Sequence, residues 1–190
     1  MSQVANIANA VTAARLLAAP LFIACIVRAT AAPLAGWVAG LLFVFAAWSD
    51  IADGRLARRH GTASDRGRVL DHFADIAFIL GSLATYVFLD LAPWWVPASI
   101  AASFSVYVID SWLRSAPDLS AEASERRRKP TLIGSRIGHL GGICNWVLVG
   151  VLTFNESAGL HWLPPGIVAL LFALVPIYSG AAIATRFLAR

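Results

Sequence analysis

Asp50 and Asp53 stand three residues apart, and Asp71 and Asp75 four apart, spacings that set each pair on one face of a helix. Each pair adjoins a long apolar run, and the Gly-, Ser- and Arg-rich connection from Arg55 to Arg68 would return the chain antiparallel, so that the two acidic faces meet. Carboxylates gathered at reduced dielectric repel one another; either a pKa rises or a cation neutralises them. Hard oxygen donors of this type suit Mg²⁺, Mn²⁺ or Ca²⁺ rather than zinc or copper, and a one- or two-metal site facing the cytoplasm is the expectation. Gly54 and Gly67 would let a bulky ligand approach the backbone. Arg58, beside such a site, has the planar fork to clamp a phosphate. Any one of these aspartates alone reads more simply as a solvated charge paired with a neighbouring arginine. All four together do not, because Asp71 and Asp75 must lie at or below headgroup depth if their helix is to cross a bilayer, and ionisable groups there are functional by default.

The elements that must carry these residues are apolar helices. The chain has 190 residues, 58% hydrophobic and only 14% charged, with a mean hydropathy of +0.70, which points to an all-α integral membrane protein forming a single domain over residues 1–190. A crossing helix needs about 20 residues. The charge-free runs Ala29 to Ser49, Leu91 to Ile109, Ile137 to Asn155 and Ser157 to Thr185 supply four such spans. The shorter runs Leu16 to Val27 and Ile76 to Leu89 cross only by extending back, to Ala10 through Arg15 and to Val69 through Asp75 and Asp71, which makes six spans. The first run lacks a basic segment ahead of it and leads into an equally apolar second run, so it reads as retained rather than as a cleaved leader.

Basic residues give the orientation. Of the 15 Lys and Arg, only Arg28 falls on one side of a six-span layout. Arg15, the Arg55 to Arg68 loop, the Arg114 to Arg136 loop, Arg186 and Arg190 all fall on the other, so both termini and the acidic cavity are expected to face the cytoplasm of a bacterial-type inner membrane. Asp90 and Glu156 belong to short opposite turns near Trp- and Pro-rich segments that suit an interface. The net charge of +4 has no continuous basic helix behind it, so nucleic acid is not an expected partner. Cys25 and Cys144 lie far apart in apolar runs and the four histidines are dispersed, which excludes a disulfide framework or a zinc spacing.

Written out, the acidic stretch is Asp50-x2-Asp53-Gly54-x2-Ala57-Arg58-x8-Gly67-x3-Asp71-x3-Asp75. It resembles the CDP-alcohol phosphotransferase signature at every fixed position. Asn9, Thr12 and Arg15 resemble the Asn-x2-Thr-x2-Arg opening of the phosphatidylglycerophosphate synthase branch, and the six-helix layout resembles the family's as well. The resemblance implies that CDP-diacylglycerol binds with its nucleotide over the signature and its acyl chains in the bilayer, and that a small hydroxyl acceptor attacks to release CMP. It further implies that Asp50, Asp53 and Asp71 ligate two divalent ions, Mg²⁺ or Mn²⁺, and that Asp75 is both a ligand and the base for the acceptor hydroxyl. Asp53, Gly54, Ala57, Arg58 and Gly67 would surround the nucleotide, and the assembly would be a homodimer.

The opening motif points to glycerol 3-phosphate as acceptor. Ile76 stands where enzymes of that branch usually carry lysine, so inositol phosphate, serine and phosphatidylglycerol stay open. Arg114 and Arg136, each at the cytoplasmic end of a span, are candidates for a phosphorylated acceptor, against simple snorkelling to the interface, which is equally expected of Arg186. The Arg126 to Lys129 run reads as a topology-setting or lipid-attracting segment. Asp110 is expected to pair with Arg114 one turn on; His72, on another azimuth from its flanking aspartates, is expected to pack or to support the ligands rather than to be one, and His139 and Asn145 to serve helix packing and interhelical hydrogen bonds. A divalent-cation transporter would also gather carboxylates in the bilayer, but it predicts further ionisable groups deeper in other spans and an internal repeat, and the sequence offers little of either.

Overall fold

Apolar helix formers broken by proline and short polar turns produce a bundle of helices in the computed structural model, which describes residues 18–60, 65–114 and 136–188, with side chains outside 50–60, 65–68, 70, 114 and 136–137. Helix α1 covers Ala18–Ala29, α2 Pro33–His60, α3 Asp65–Phe88, α4 Trp95–Arg114, α5 Arg136–Leu152 and α6 Pro165–Leu188, with a five-residue π-turn, Thr153–Ser157, closing α5. No strand occurs among the described residues. Proline opens α2 and α6, where its missing N–H is one the helix would leave unpaired anyway. Helix α3 ends through Asp90, whose φ of 59° is a left-handed cap that Asp tolerates better than most residues.

Two expectations about boundaries change. The Arg55 to Arg68 segment is not a loop: α2 continues through the first half of the signature to His60 and α3 already begins at Asp65. The Arg-, Leu- and Ala-containing sequence there has enough helix propensity to prolong both elements. The last span starts at Pro165 rather than Ser157, because Ala158 to Pro164 form a turn stitched by His161 N–H to Asn155 O (3.1 Å) and by Leu163 N–H to Asn155 Oδ1 (2.9 Å).

Four rings from four helices form the heart of the core. Phe22 of α1 stacks on Phe78 of α3 (4.9 Å between centroids), Phe78 on Trp146 of α5 (5.1 Å), and Phe43 of α2 closes the quartet against Trp146 (5.7 Å) and Phe22 (6.4 Å). These are favourable separations for aromatic pairs. The quartet couples α2 to α3 through rings of α1 and α5. On the other side α4 packs along α6, and α5 lies between α6 and α3.

The π-turn rests on α2 because two glycines allow it. A Cβ at Gly36 would stand 1.7 Å from Ser157 O, and one at Gly40 would stand 2.8 Å from the Phe154 ring. Tyr86 of α3 reaches the same turn, donating or accepting with Ser157 Oγ (2.9 Å) and donating to Thr153 Oγ1 (3.2 Å). All three residues are buried, so the polar atoms of the turn find partners inside an apolar core.

Among the described residues, two helices are long and apolar enough to cross a membrane: Trp95–Leu113 and Pro165–Leu188. Only 22% and 28% of their apolar windows are buried, whereas the core helix of a soluble protein would be mostly covered. Leu170, Leu174 and Ile177 of α6 and Ile109, Trp112 and Leu113 of α4 face outward, a surface that suits lipid. Ala18–Ala29 and Pro33–Ser49 are shorter apolar segments.

Candidate active site

The signature occupies the end of α2 and the start of α3. Positions 50, 53, 54, 57 and 58 fall within α2 and position 67 within the first turn of α3. The side chains of Asp50, Asp53, Ala57 and Arg58 lie outside the described residues. Asp71 and Asp75 are described: both are half-buried, one turn apart on α3, with the buried Ala74 and Phe78 beside them.

The aromatic quartet lies two turns from the signature on each helix. Position 50 is seven residues beyond Phe43 toward the end of α2, and Asp71 is seven residues before Phe78 toward the start of α3. Seven residues are about 10 Å of rise and close to two full turns. Phe43 and Phe78 each meet the rings of Phe22 and Trp146, so α2 and α3 are joined below the signature through α1 and α5.

Around Asp71 and Asp75, α3 docks on α4. His72 stacks on Tyr107 (6.2 Å, 27° between planes) and Phe73 meets Phe104 edge-on (5.4 Å). On Tyr107 also sits the guanidinium of Arg186 from α6, 4.5 Å from the ring centroid. Arg186 Nη1 donates to Asp110 Oδ2 at 3.0 Å, and both residues are buried, at 8% and 4% exposure. Asp110 thus has a partner that the sequence reading did not anticipate, Arg186 on another helix. A pairing with Arg114 involves a side chain outside the described residues. Arg186 does not snorkel; an oppositely charged group at the same depth holds it inside.

His72 packs as expected. Asn145 does make an interhelical hydrogen bond, accepting from the Tyr178 hydroxyl of α6, and His139 is exposed on α5 among the described residues. Arg114 is the last residue of α4 and Arg136 the first of α5, the helix ends anticipated for them, with side chains outside the described residues. Sequence reasoning missed Tyr107 and the Asp110–Arg186 pair. A signal was available: one acid in α4 and one base in α6, each in an otherwise apolar helix, need each other.

The donor set fits a divalent metal. Asp71 and Asp75 bring two carboxylates to one half-buried turn, a pair of like charges that a hard cation would relieve. Among the described residues no group of three ligating side chains occurs, and a complete site would need α2.

An all-helical bundle whose α4 and α6 turn apolar faces outward is the class of protein these observations define. The family model described as CDP-alcohol phosphatidyltransferase matches residues 5–177, and the chain belongs to that family. Family members generally depend on a divalent metal. Curated relatives include a protein of Streptomyces coelicolor named cardiolipin synthase (CMP-forming), 32% identical over 56% of this chain and 50% of its own length. A probable phosphatidylglycerophosphate synthase of Mycobacterium tuberculosis is 33% identical over 52% of this chain and 48% of its own. A Bacillus subtilis protein named CDP-diacylglycerol--glycerol-3-phosphate 3-phosphatidyltransferase is 30% identical over 53% of this chain and 58% of its own. The matches thus span about half the length of these relatives.

Proposed function

We propose that this protein, a single domain over residues 1–190, transfers a phosphatidyl group from CDP-diacylglycerol to glycerol 3-phosphate, forming phosphatidylglycerol phosphate and CMP. The observation that carries the reading is the complete signature, distributed over the end of α2 and the start of α3, in a chain of the CDP-alcohol phosphatidyltransferase family. Two of the relatives named above bear the matching name. The cardiolipin synthase relative keeps phosphatidylglycerol as the alternative acceptor, with the same donor and the same leaving group.

In this reading Asp50, Asp53, Asp71 and Asp75 hold Mg²⁺ or Mn²⁺, two ions in all, while Asp53, Gly54, Ala57, Arg58 and Gly67 surround the nucleotide. The bound metal supplies charge neutralisation for the pyrophosphate and the departing CMP. Asp75 takes the proton of the acceptor hydroxyl as its oxygen attacks the phosphorus that bears diacylglycerol. The new P–O bond forms as the P–O bond to CMP breaks, and CMP leaves with that electron pair. Arg114 and Arg136 are assigned to the acceptor's phosphate. A donor with tails in lipid and head in water explains why the acids lie at the membrane surface, and the six-span, both-ends-cytoplasmic layout and a homodimer belong to the same proposal.

The test is CMP release by purified protein from CDP-diacylglycerol with Mg²⁺ or Mn²⁺, scanned over glycerol 3-phosphate, phosphatidylglycerol, inositol 3-phosphate and serine. Release with glycerol 3-phosphate alone, lost in Asp75→Asn, is the expected result. Release with phosphatidylglycerol instead transfers the assignment to the alternative acceptor. No metal-dependent CMP with any acceptor, in folded protein, would sink the reading.

A further inference from the structure

The turn of α3 between Asp71 and Asp75 leaves two side chains, His72 and Phe73, pointing away from the acidic face, and both meet α4. They sit on Tyr107 and Phe104, one turn apart on α4 and themselves in contact at 5.9 Å. Tyr107 is the joint of this arrangement. It carries His72 of α3 and the Arg186 guanidinium of α6, while Asp110, one turn on, holds Arg186 by its carboxylate. Three helices are thus fastened together at the height of the acidic turn, by a ring stack, a cation–π contact and a buried ion pair.

We propose that Tyr107 is a positioning residue for the metal-holding turn of α3, setting the height and rotation of Asp71 and Asp75 through its contact with His72. The inference rests on the metal-dependent reading above. Two carboxylates on one turn share an ion only if that turn is correctly rotated toward α2, and His72 and Phe73 are the adjoining residues that fix the rotation. Tyr107 is in turn kept in place by Arg186, whose own position is set by Asp110. Stacking on His72 and the face offered to Arg186 are properties of the aromatic ring, which phenylalanine retains.

Mn²⁺ binding is measured by the paramagnetic resonance signal of free Mn²⁺ on purified protein in detergent, without nucleotide, for wild type, Tyr107→Phe, Tyr107→Ala and His72→Ala. Thermal midpoints are recorded alongside. Tyr107→Phe should bind like wild type. Tyr107→Ala and His72→Ala should weaken Mn²⁺ by about 10-fold, the low end for residues that orient metal ligands, and raise the Mn²⁺ concentration needed for half-maximal CMP release without altering the KM for the acceptor. His72 is exposed, so its truncation opens no core cavity and decides the matter should Tyr107→Ala fail to fold. Unchanged Mn²⁺ affinity in folded His72→Ala, or in folded Tyr107→Ala, overturns the positioning role and leaves the enzymatic reading intact. Wild type that neither binds Mn²⁺ nor releases CMP overturns both.

Discussion

Asp75 and the Asp110–Arg186 pair illustrate two different uses of charge in an apolar bundle. Asp75 is half-buried on the acidic turn, and if it is the base proposed for the acceptor it should be indispensable. Asp75→Asn, which keeps the shape and loses the basicity, is expected to lower CMP release by about 100-fold or more while leaving the thermal midpoint in detergent close to wild type. Chelation by EDTA should stop the same assay, and excess Mg²⁺ or Mn²⁺ should restore it. The Asp110–Arg186 pair is structural by burial. Removing one partner takes a buried 3.0 Å ion-pair contact from the other, so Asp110→Ala or Arg186→Met should cost about 3 kcal/mol, read as a lowered thermal midpoint. The double substitution to apolar residues should recover part of the loss, since neither charge is then left inside.

At the scale of elements, Gly36 and Gly54 serve different ends. Gly36 is there for packing: the π-turn carbonyl of Ser157 occupies the space a Cβ would need. Gly36→Ala must push backbone away from backbone, and a loss of about 1–3 kcal/mol is expected, checked by thermal unfolding. Gly54 lies inside α2, where glycine is worse than alanine by about 1 kcal/mol in intrinsic propensity. A residue that weakens its own helix suggests a need for backbone access, here by the nucleotide. Gly54→Ala should therefore leave the thermal midpoint equal or higher and yet depress CMP release, with the KM for CDP-diacylglycerol rising. A fall in both stability and activity would mean that Gly54, like Gly36, answers to packing. The element boundaries were only partly legible. Proline and apolarity announced the starts of α2 and α6, but the Gly and Ser residues of the signature looked like loop, because composition alone does not reveal that a helix persists through them.

For the whole molecule, the six-span layout predicts opposite faces for the signature and for the loop that follows the π-turn. In protein with Cys25→Ser and Cys144→Ser, a cysteine introduced by His161→Cys should react with a membrane-impermeant maleimide added to intact cells. One introduced by Ser124→Cys, in the basic connection, should react only after the membrane is opened. Labelling of both from outside, or of neither, would overturn the orientation. His161 is well suited to this, being 68% exposed at the side chain, and its removal affects no buried contact, only a 4.0 Å approach to Glu156.

The sequence by itself determined the chemistry and the medium. Residue types and spacing are local quantities: Asp50, Asp53, Asp71 and Asp75 with their glycines and Arg58 identify a family, and runs of apolar residues identify helices that suit lipid. Tertiary structure alone decided which helix faces which. That α2 meets α3 through Phe22 and Trp146, that Tyr86 ties off a π-turn over Gly36, and that Asp110 turns to Arg186 across 76 residues depend on how helices rotate and cross. Those angles are set by the summed fit of many side chains, and helical periodicity within a single segment carries little of that information.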